Sequence, residues 1–119
     1  MDFLRRVLSD EGYICVCGFK GQDIQQQFVR TFDEAEAVLN KFDSEERNIY
    51  FGCARYTKEE RNLQTVKDKK IFYIDIDCGA SKPYANQSEA AAALREFVTT
   101  VKLPRPTLVN SGNGLHVYW

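Results

Sequence analysis

The sequence predicts a mixed α/β (α+β) fold in which helices pack on a mixed or antiparallel sheet. Apolar side chains alternate over residues 13 to 19, two capping patterns each open an amphipathic stretch, and an apolar run ends in Asp-Ile-Asp at residues 75 to 77. With 119 residues, of which 44% are hydrophobic, the chain has enough material for one ordinary core. We therefore expect residues 1 to 119 to form one domain, or part of one.

The first half of the chain is predicted to mix short strands with two helices. Asp33 is expected to be an N-cap because Glu36 follows three residues later, and the helix that it opens continues to residue 42. The apolar stripe of this helix is Ala35, Val38, Leu39 and Phe42. The other expected elements are a helix over residues 2 to 9 and strands near residues 13 to 19, 25 to 32 and 48 to 54.

The second half is predicted to form a strand, a helix and a hairpin. Asn86 and Glu89 repeat the capping pattern, and the helix after them places Ala90, Leu94, Phe97, Val98 and Val101 on one face. The expected elements are a strand from Ile71 to Asp77, an exposed loop over residues 78 to 84, a helix over residues 87 to 101, and strands over residues 107 to 110 and 115 to 119. The last two strands form an antiparallel hairpin.

The charge balance limits any contact with nucleic acid to local patches. A formal net charge of −1 argues against general phosphate binding, which is typical of chains with a clear excess of Lys and Arg. The best local candidates are Arg55, Lys67, Lys69, Lys70 and Lys82, which stand close to Asp-Ile-Asp in the sequence. The alternative is an ordinary solvated loop with surface cations.

Hydropathy and cysteine usage indicate an intracellular, soluble protein without a membrane partner. No apolar run approaches the roughly 18 residues of a transmembrane helix, and the first residues lack the apolar core of a secretory signal. The four cysteines, Cys15, Cys17, Cys53 and Cys78, lie in apolar segments without Cys-x-x-Cys spacing. We therefore expect buried, reduced thiols rather than disulfides or a zinc site.

Asp75 and Asp77 are predicted to share one face of their strand, because successive side chains point to opposite faces. Two carboxylates about 7 Å apart along a strand repel each other unless a cation lies between them. Hard oxygen ligands favour Mg²⁺ or Mn²⁺, and phosphate oxygens would complete the octahedron. The alternative is that the pair only ends a strand, since Asp-x-Asp also occurs at many solvated strand ends.

The only histidine, His116, follows a Ser-Gly-Asn-Gly turn. Glycines let backbone N–H groups approach an anion closely, and the imidazole just beyond the turn has a donor for the same oxygens. Strand alternation puts the imidazole on the more polar face, although a lone histidine on a strand is also a common structural residue. The pattern predicts phosphate binding by Ser111, Gly112, Asn113, Gly114 and His116.

The order of these segments resembles the catalytic core of the archaeo-eukaryotic primase superfamily, and most closely the primase-polymerases of phages and plasmids. The first motif of that family is an apolar strand with Asp-x-Asp or Asp-x-Glu, matched here by Asp75 and Asp77. Its second motif is a serine- or glycine-rich turn leading to a histidine, matched by residues 111 to 114 and His116. The resemblance covers most of the chain, from Asn48 to Trp119.

This resemblance implies an RRM-like primase-polymerase core with a two-metal site for Mg²⁺ or Mn²⁺. In the family the first motif binds both metals, so Asp75 and Asp77 would be the ligands. The histidine contacts the phosphates of the incoming nucleotide, which assigns that role to His116 with Ser111 and Asn113. A third acidic residue on a later strand has no match here, so we expect a catalytic domain that is incomplete at its C-terminus and a weak or inactive polymerase when the 119 residues act alone.

The predicted function is metal-dependent nucleotidyl transfer in DNA replication, by primer synthesis, template-directed polymerisation or both. The implied partners are nucleoside triphosphates, a DNA template and a replicative helicase domain or protein, in a host cell that carries a phage or plasmid replicon. Two alternatives stay open: a non-catalytic module that binds nucleotide or single-stranded nucleic acid, and an unrelated metal-dependent transferase that uses Asp-x-Asp.

Overall fold

The computed structural model describes residues 2–119, which divide into two compact units. The first unit is Met1–Lys70 and the second is Ile71–Trp119. Each combines helix with antiparallel sheet, which confirms the mixed α+β class. The assignment of residues 1 to 119 to one domain stays a prediction. None of the helices in residues 2–119 has the length and apolar character that a bilayer span requires.

The first unit is built around a three-stranded antiparallel sheet in the order β2-β1-β3. Its described elements are α1 (Asp2–Val7), β1 (Ile14–Lys20), β2 (Asp23–Val29), α2 (Phe32–Ser44), β3 (Asn48–Phe51), β4 (Arg55–Tyr56) and β5 (Val66–Asp68). β4 and β5 form a separate two-stranded antiparallel ribbon. Gly21, whose φ is +59°, makes the tight turn from β1 to β2. β2 begins and ends earlier than the predicted residues 25 to 32, and β3 ends at Phe51 rather than at residue 54.

α2 packs on the sheet through the predicted apolar stripe. Ala35, Val38 and Phe42 are buried, together with Phe32, while Leu39 is half-buried. The Phe42 ring lies over Gly18 of β1, where a Cβ atom would come within 2.8 Å of the ring. This contact fixes which face of the sheet the helix covers.

Thr31, rather than Asp33, caps α2. The Thr31 hydroxyl accepts a hydrogen bond from the backbone N–H of Glu34 at 3.2 Å, and the Glu34 carboxylate accepts one from the Thr31 N–H at 3.0 Å. The prediction of Asp33 was wrong because Thr31 and Glu34 have the same three-residue spacing and form the reciprocal capping box two residues earlier. Hydrogen bonds from the backbone of Arg30 and Thr31 hold the pKa of the Glu34 carboxyl below its usual range.

The second unit contains one helix against a three-stranded antiparallel sheet in the order β6-β8-β7. Its elements are β6 (Tyr73–Asp77), α3 (Gln87–Val101), β7 (Thr107–Asn110) and β8 (Gly114–Tyr118). The predicted bounds of α3 and β7 and the antiparallel pairing of the hairpin are confirmed. β6 begins two residues later than expected, and β8 begins and ends one residue earlier. Asn86 caps α3 by accepting a hydrogen bond from the Glu89 N–H at 3.0 Å. The Glu89 carboxylate accepts from the Ala85 N–H rather than from the cap residue itself.

The core of the second unit lies between α3 and one face of its sheet. Ala90 and Leu94 of the helix pack with Leu115 and Val117 of the central strand. Phe97 and Val101, which the sequence placed on the packing face, are about half exposed. The side of the helix that packs on the sheet therefore runs through Ala90, Leu94 and the partly buried Val98.

The cysteines are free thiols. Cys15 and Cys17 are buried in the first unit, as predicted, and their sulfur atoms lie 3.9 Å apart. Burial raises the pKa of Cys15 to about 12, so this thiol is uncharged at neutral pH. Cys53 and Cys78 are only partly buried.

The capping box gives the first testable prediction. We expect Thr31→Ala to lower the free energy of unfolding by about 1 kcal/mol, because the Glu34 N–H loses its acceptor. Asp33→Asn should change it by less than about 0.5 kcal/mol, since the Asp33 carboxylate makes only a 3.6 Å ion pair with Arg5. Urea denaturation followed by circular dichroism measures both, and a larger loss for the Asp33 variant would contradict the assignment.

Candidate functional site

Asp75 and His116 lie directly opposite each other on β6 and β8. Phe72 and Trp119 exchange both backbone hydrogen bonds at the end of this ladder, at 3.1 and 2.9 Å. Because bonded and non-bonded pairs alternate along an antiparallel ladder, Asp75 and His116 form a non-hydrogen-bonded pair, in which side chains approach most closely. The structure thus brings the two sequence motifs together on one face of the sheet.

Each nitrogen atom of the His116 ring lies near one polar side chain. Nε2 lies 3.5 Å from Oδ1 of Asp75, and Nδ1 lies 3.4 Å from the hydroxyl of Tyr118. The His116 side chain is 35% exposed, so part of it is accessible to solvent. Tyr118 was not singled out in the sequence, although its spacing of two residues from His116 places it on the same strand face.

Asp77 has a different neighbour. It lies opposite Gly114 in the ladder, and its Oδ2 atom is 3.7 Å from Nζ of Lys82. Both side chains are about half exposed. Lys82, which the sequence suggested as a nucleic-acid contact, therefore lies beside a predicted metal ligand.

Hydrogen bonds with two amide side chains, those of Asn110 and Gln87, hold the glycine-rich turn in place. Oδ1 of Asn110 accepts hydrogen bonds from the Gly112 N–H at 2.8 Å and from Nε2 of Gln87 at 2.7 Å. Gln87 also donates to the carbonyl of Gly114 at 3.0 Å. The side chains of Ser111 and Asn113, in the same turn, are exposed to solvent. The sequence gave no signal for Gln87 beyond its place as the first residue of α3.

Gly114 has a structural role that the sequence analysis did not assign. A Cβ atom at this position would overlap the carbonyl oxygen of Ile76 on the neighbouring strand. Gly112, by contrast, faces open space but has a φ of +95°, which favours glycine. Both glycines are therefore required by the backbone, whether or not the turn binds an anion.

Arg55 is a structural residue, so its prediction as a nucleic-acid contact was wrong. It is 1% exposed. Its guanidinium donates hydrogen bonds to the carbonyl oxygens of Asp10 at 2.6 Å, Glu11 at 3.2 Å and Arg30 at 3.3 Å. Burial lowers its pKa. Sequence alone could not show this, because a buried arginine that binds backbone carbonyls has no distinctive pattern.

Three of the four lysines predicted to contact nucleic acid belong to the first unit and are exposed: Lys67, Lys69 and Lys70. Nζ of Lys67 lies 3.2 Å from the Glu11 carboxylate, and Nζ of Lys70 donates to the carbonyl of Arg5 at 3.0 Å. Asp75 and His116 belong to the second unit. The role of Lys67, Lys69 and Lys70 in nucleic-acid binding stays a prediction.

A cleft of about 550 Å³ lies beside β6 in the second unit. It is lined by residues 74 to 77 of the strand, by Lys82, Pro83 and Tyr84, and by Ala90, Leu94 and Phe97 of α3. Among residues 2–119, no group of three or more His, Cys, Asp and Glu side chains is arranged to hold a metal ion. Asp75 and Asp77 line this cleft, whereas His116 lies opposite Asp75 on the neighbouring strand and does not line it. Two exposed carboxylates and an imidazole suit a hard cation and a phosphate oxygen.

Comparison with known proteins adds no family to this description. No family model, no curated protein and no solved structure matches the chain. The interpretation of the site therefore depends on the residues and on their geometry.

The close approach at Gly114 gives the second prediction. We expect Gly114→Ala to destabilise the protein by more than about 2 kcal/mol, because β6 and β8 must separate to admit the methyl group. Gly112→Ala should cost about 1 kcal/mol, through backbone strain alone. Thermal unfolding compares the two variants, and equal losses would show that strand approach is not the constraint at residue 114.

Proposed function

We propose that the second unit carries a metal-dependent nucleotidyl-transfer site of the primase-polymerase type, which acts in DNA replication. In this proposal Asp75 and Asp77 bind Mg²⁺ or Mn²⁺, while Ser111, Asn113, the backbone of the turn and His116 bind the triphosphate. The observation that carries the proposal is the direct pairing of Asp75 with His116 on adjacent antiparallel strands. Two motifs that are far apart in the sequence supply complementary chemistry at one place.

The topology of the second unit supports an RRM-like core. Its elements follow the order strand, helix, strand, strand, and the last strand lies between the first two. Since β8 is antiparallel to both β6 and β7, those two strands run parallel and α3 is the crossover between them. This is the split β-α-β arrangement that ferredoxin-like and RRM folds contain. α3 covers one face of the sheet, and Asp75 and His116 lie on the other.

The donor set fits a hard divalent cation. The carboxylate of Asp75 is exposed, and that of Asp77 is opposed only by the half-exposed Lys82. Exposed ion pairs contribute only about 0–1 kcal/mol, so the Lys82 contact does not prevent a cation from binding. Oxygen atoms of the triphosphate and of water would complete the coordination.

The proposed reaction transfers a nucleotidyl group. A 3′-hydroxyl oxygen forms a bond to the α-phosphorus, the bond from that phosphorus to the bridging oxygen breaks, and pyrophosphate leaves while the hydroxyl proton passes to solvent. Asp75 and Asp77 would hold the cations, whose chemistry would be to neutralise phosphate charge and to lower the pKa of the attacking hydroxyl. A cation on the Asp75 carboxylate would release Nε2 of His116, which would then donate to a phosphate oxygen while Nδ1 stays beside the Tyr118 hydroxyl. The exposed side chains of Ser111 and Asn113 offer further polar contacts to the same anion, while the N–H groups of Ser111 and Gly112 are bonded within the turn.

Metal binding gives the third prediction. We expect Asp75→Asn to weaken Mn²⁺ binding at least tenfold, because one of two anionic ligands is lost. Electron paramagnetic resonance measures free Mn²⁺, and NMR line broadening locates the bound ion. Asp43→Asn is a matched control, since Asp43 is an exposed carboxylate of α2 in the first unit. Equal affinities for the wild type and the Asp75 variant would rule out the site.

The nucleotidyl-transfer reaction gives the fourth prediction. We expect slow incorporation of labelled nucleotide into a primed template, abolished by Asp75→Asn and unchanged by Asp43→Asn. His116→Asn should raise KM for the triphosphate about tenfold, because a hydrogen bond to a charged group contributes about 1.5–3 kcal/mol. Mn²⁺-dependent triphosphate binding without any Asp75-dependent synthesis would instead assign this chain to the non-catalytic alternative.

A further inference from the structure

The sheet of the first unit has a second face, opposite α2, that is only partly covered. Because Gly18 of β1 faces the helix, Cys17 and Phe19 point to the other side. Tyr56 is buried on this face with Cys15, at one end of β1. The end of the face near Phe19 is open.

The open end carries aromatic and amide groups from three adjacent strands. In the register of the sheet, Cys17 pairs with Gln26 and Tyr50, and Phe19 pairs with Ile24 and Asn48. Tyr50 is 57% exposed and Ile24 is 62% exposed. The rings of Phe19 and Tyr50 meet edge to face with centroids 5.2 Å apart, which fixes the orientation of both.

These groups border a cavity of about 410 Å³, which we call the aromatic cleft. Its lining residues are Cys17, Phe19, Asn48, Tyr50 and Arg61. The volume lies in the range of about 300–1,000 Å³ that is usual for small-molecule sites. An aromatic ring, a primary amide and a guanidinium therefore converge on one space.

The charge of the aromatic cleft is positive. None of the paired residues of the open face is acidic, and Arg61 takes part in none of the ion pairs formed by residues 2–119. The nearby Glu60 carboxylate is bound by Lys58 at 3.2 Å and by Asn62 at 2.8 Å. The guanidinium of Arg61 is thus exposed and available to an anion.

We propose that the aromatic cleft binds an unpaired nucleobase together with its phosphate, as part of a single-stranded nucleic acid. The Tyr50 ring stacks on the base, the Asn48 amide forms hydrogen bonds with the edge of the base, and Arg61 neutralises the phosphate. Aromatic stacking is tolerant of sequence and contributes about 1–3 kcal/mol per base. A planar ring, an amide and a cation favour this ligand over an apolar protein segment, which would leave the guanidinium without an anion.

The site lies wholly in the first unit and uses none of the residues of the proposed transfer site. It therefore does not rest on the proposed function, although a polymerase would use it to hold an unpaired strand. This independence allows the two proposals to fail separately.

Fluorescence anisotropy with a labelled single-stranded oligothymidylate tests the proposal, in EDTA so that metal binding has no influence. We expect Tyr50→Ala to weaken binding about 5- to 150-fold, the equivalent of about 1–3 kcal/mol. Tyr50→Phe should bind like the wild type, because it keeps the ring. Arg61→Gln should weaken binding and reduce the slope of log affinity against log salt by about one.

Matched controls separate the aromatic cleft from general effects. Phe72→Ala removes an exposed ring, and Arg95→Gln removes an exposed guanidinium, both in the second unit, so neither should change affinity. Asp75→Asn should also bind the oligonucleotide normally. Circular dichroism verifies that each variant is folded.

Two ligand arms distinguish the source of the base. If thymidine monophosphate displaces the oligonucleotide from the wild type, one nucleotide is enough to fill the site. If the oligonucleotide binds more tightly than thymidine monophosphate, the protein also holds the neighbouring nucleotides of the strand. Both results support base recognition. Binding in neither arm, binding unaffected by Tyr50→Ala, or equal affinity for duplex DNA would overturn the proposal. So would sedimentation showing that Tyr50→Ala only dissociates a self-associated form.

Discussion

The pairing of β6 with β8 is the interaction on which the second unit depends. β8 is the central strand, so its hydrogen bonds join β6 on one side and β7 on the other. The ladder between β6 and β8 runs from Tyr73 to Asp77, and the Gly114 position lets the strands approach at its far end. If the register slipped by one residue, His116 would move away from Asp75, and Leu115 and Val117 would leave α3. Core packing and the arrangement of the site therefore require the same register.

The alternation of side chains along β8 separates structural from chemical residues. Leu115 and Val117 are buried against α3, whereas His116 lies on the opposite face with Asp75. Asp75 and His116 consequently gain a rigid support from a core to which their own side chains do not belong. Tyr118 combines the two roles, because it is buried and its hydroxyl still lies near the imidazole.

Sequence-based prediction was most accurate for features that depend on residues close together in the chain. The N-cap at Asn86, the bounds of α3 and the terminal hairpin are set by residues close together in the chain, and all three were confirmed. The cap of α2 was misplaced because two overlapping capping patterns compete and only tertiary context selects Thr31. Strand alternation predicted a common face for Asp75 and Asp77 and the more polar face for His116, but the pairing of Asp75 with His116 depends on register, which no single segment encodes. The buried environment of Arg55 and the support by Gln87 depend on distant backbone carbonyls and had no local pattern.

The existing contacts of the charged side chains explain why an external ion would bind more easily in the second unit than at Arg55. The Arg55 guanidinium is enclosed and donates to several carbonyl oxygens, so removing it would leave buried acceptors unpaired, which costs about 1–3 kcal/mol for each group. The contact of Lys82 with Asp77 is half exposed, and exposed pairs contribute only about 0–1 kcal/mol. The side chains of His116 and Asp75, which contact each other, are likewise partly exposed to solvent. A cation or a phosphate at these side chains would displace only weak interactions, whereas the same ligand at Arg55 would have to disrupt the fold.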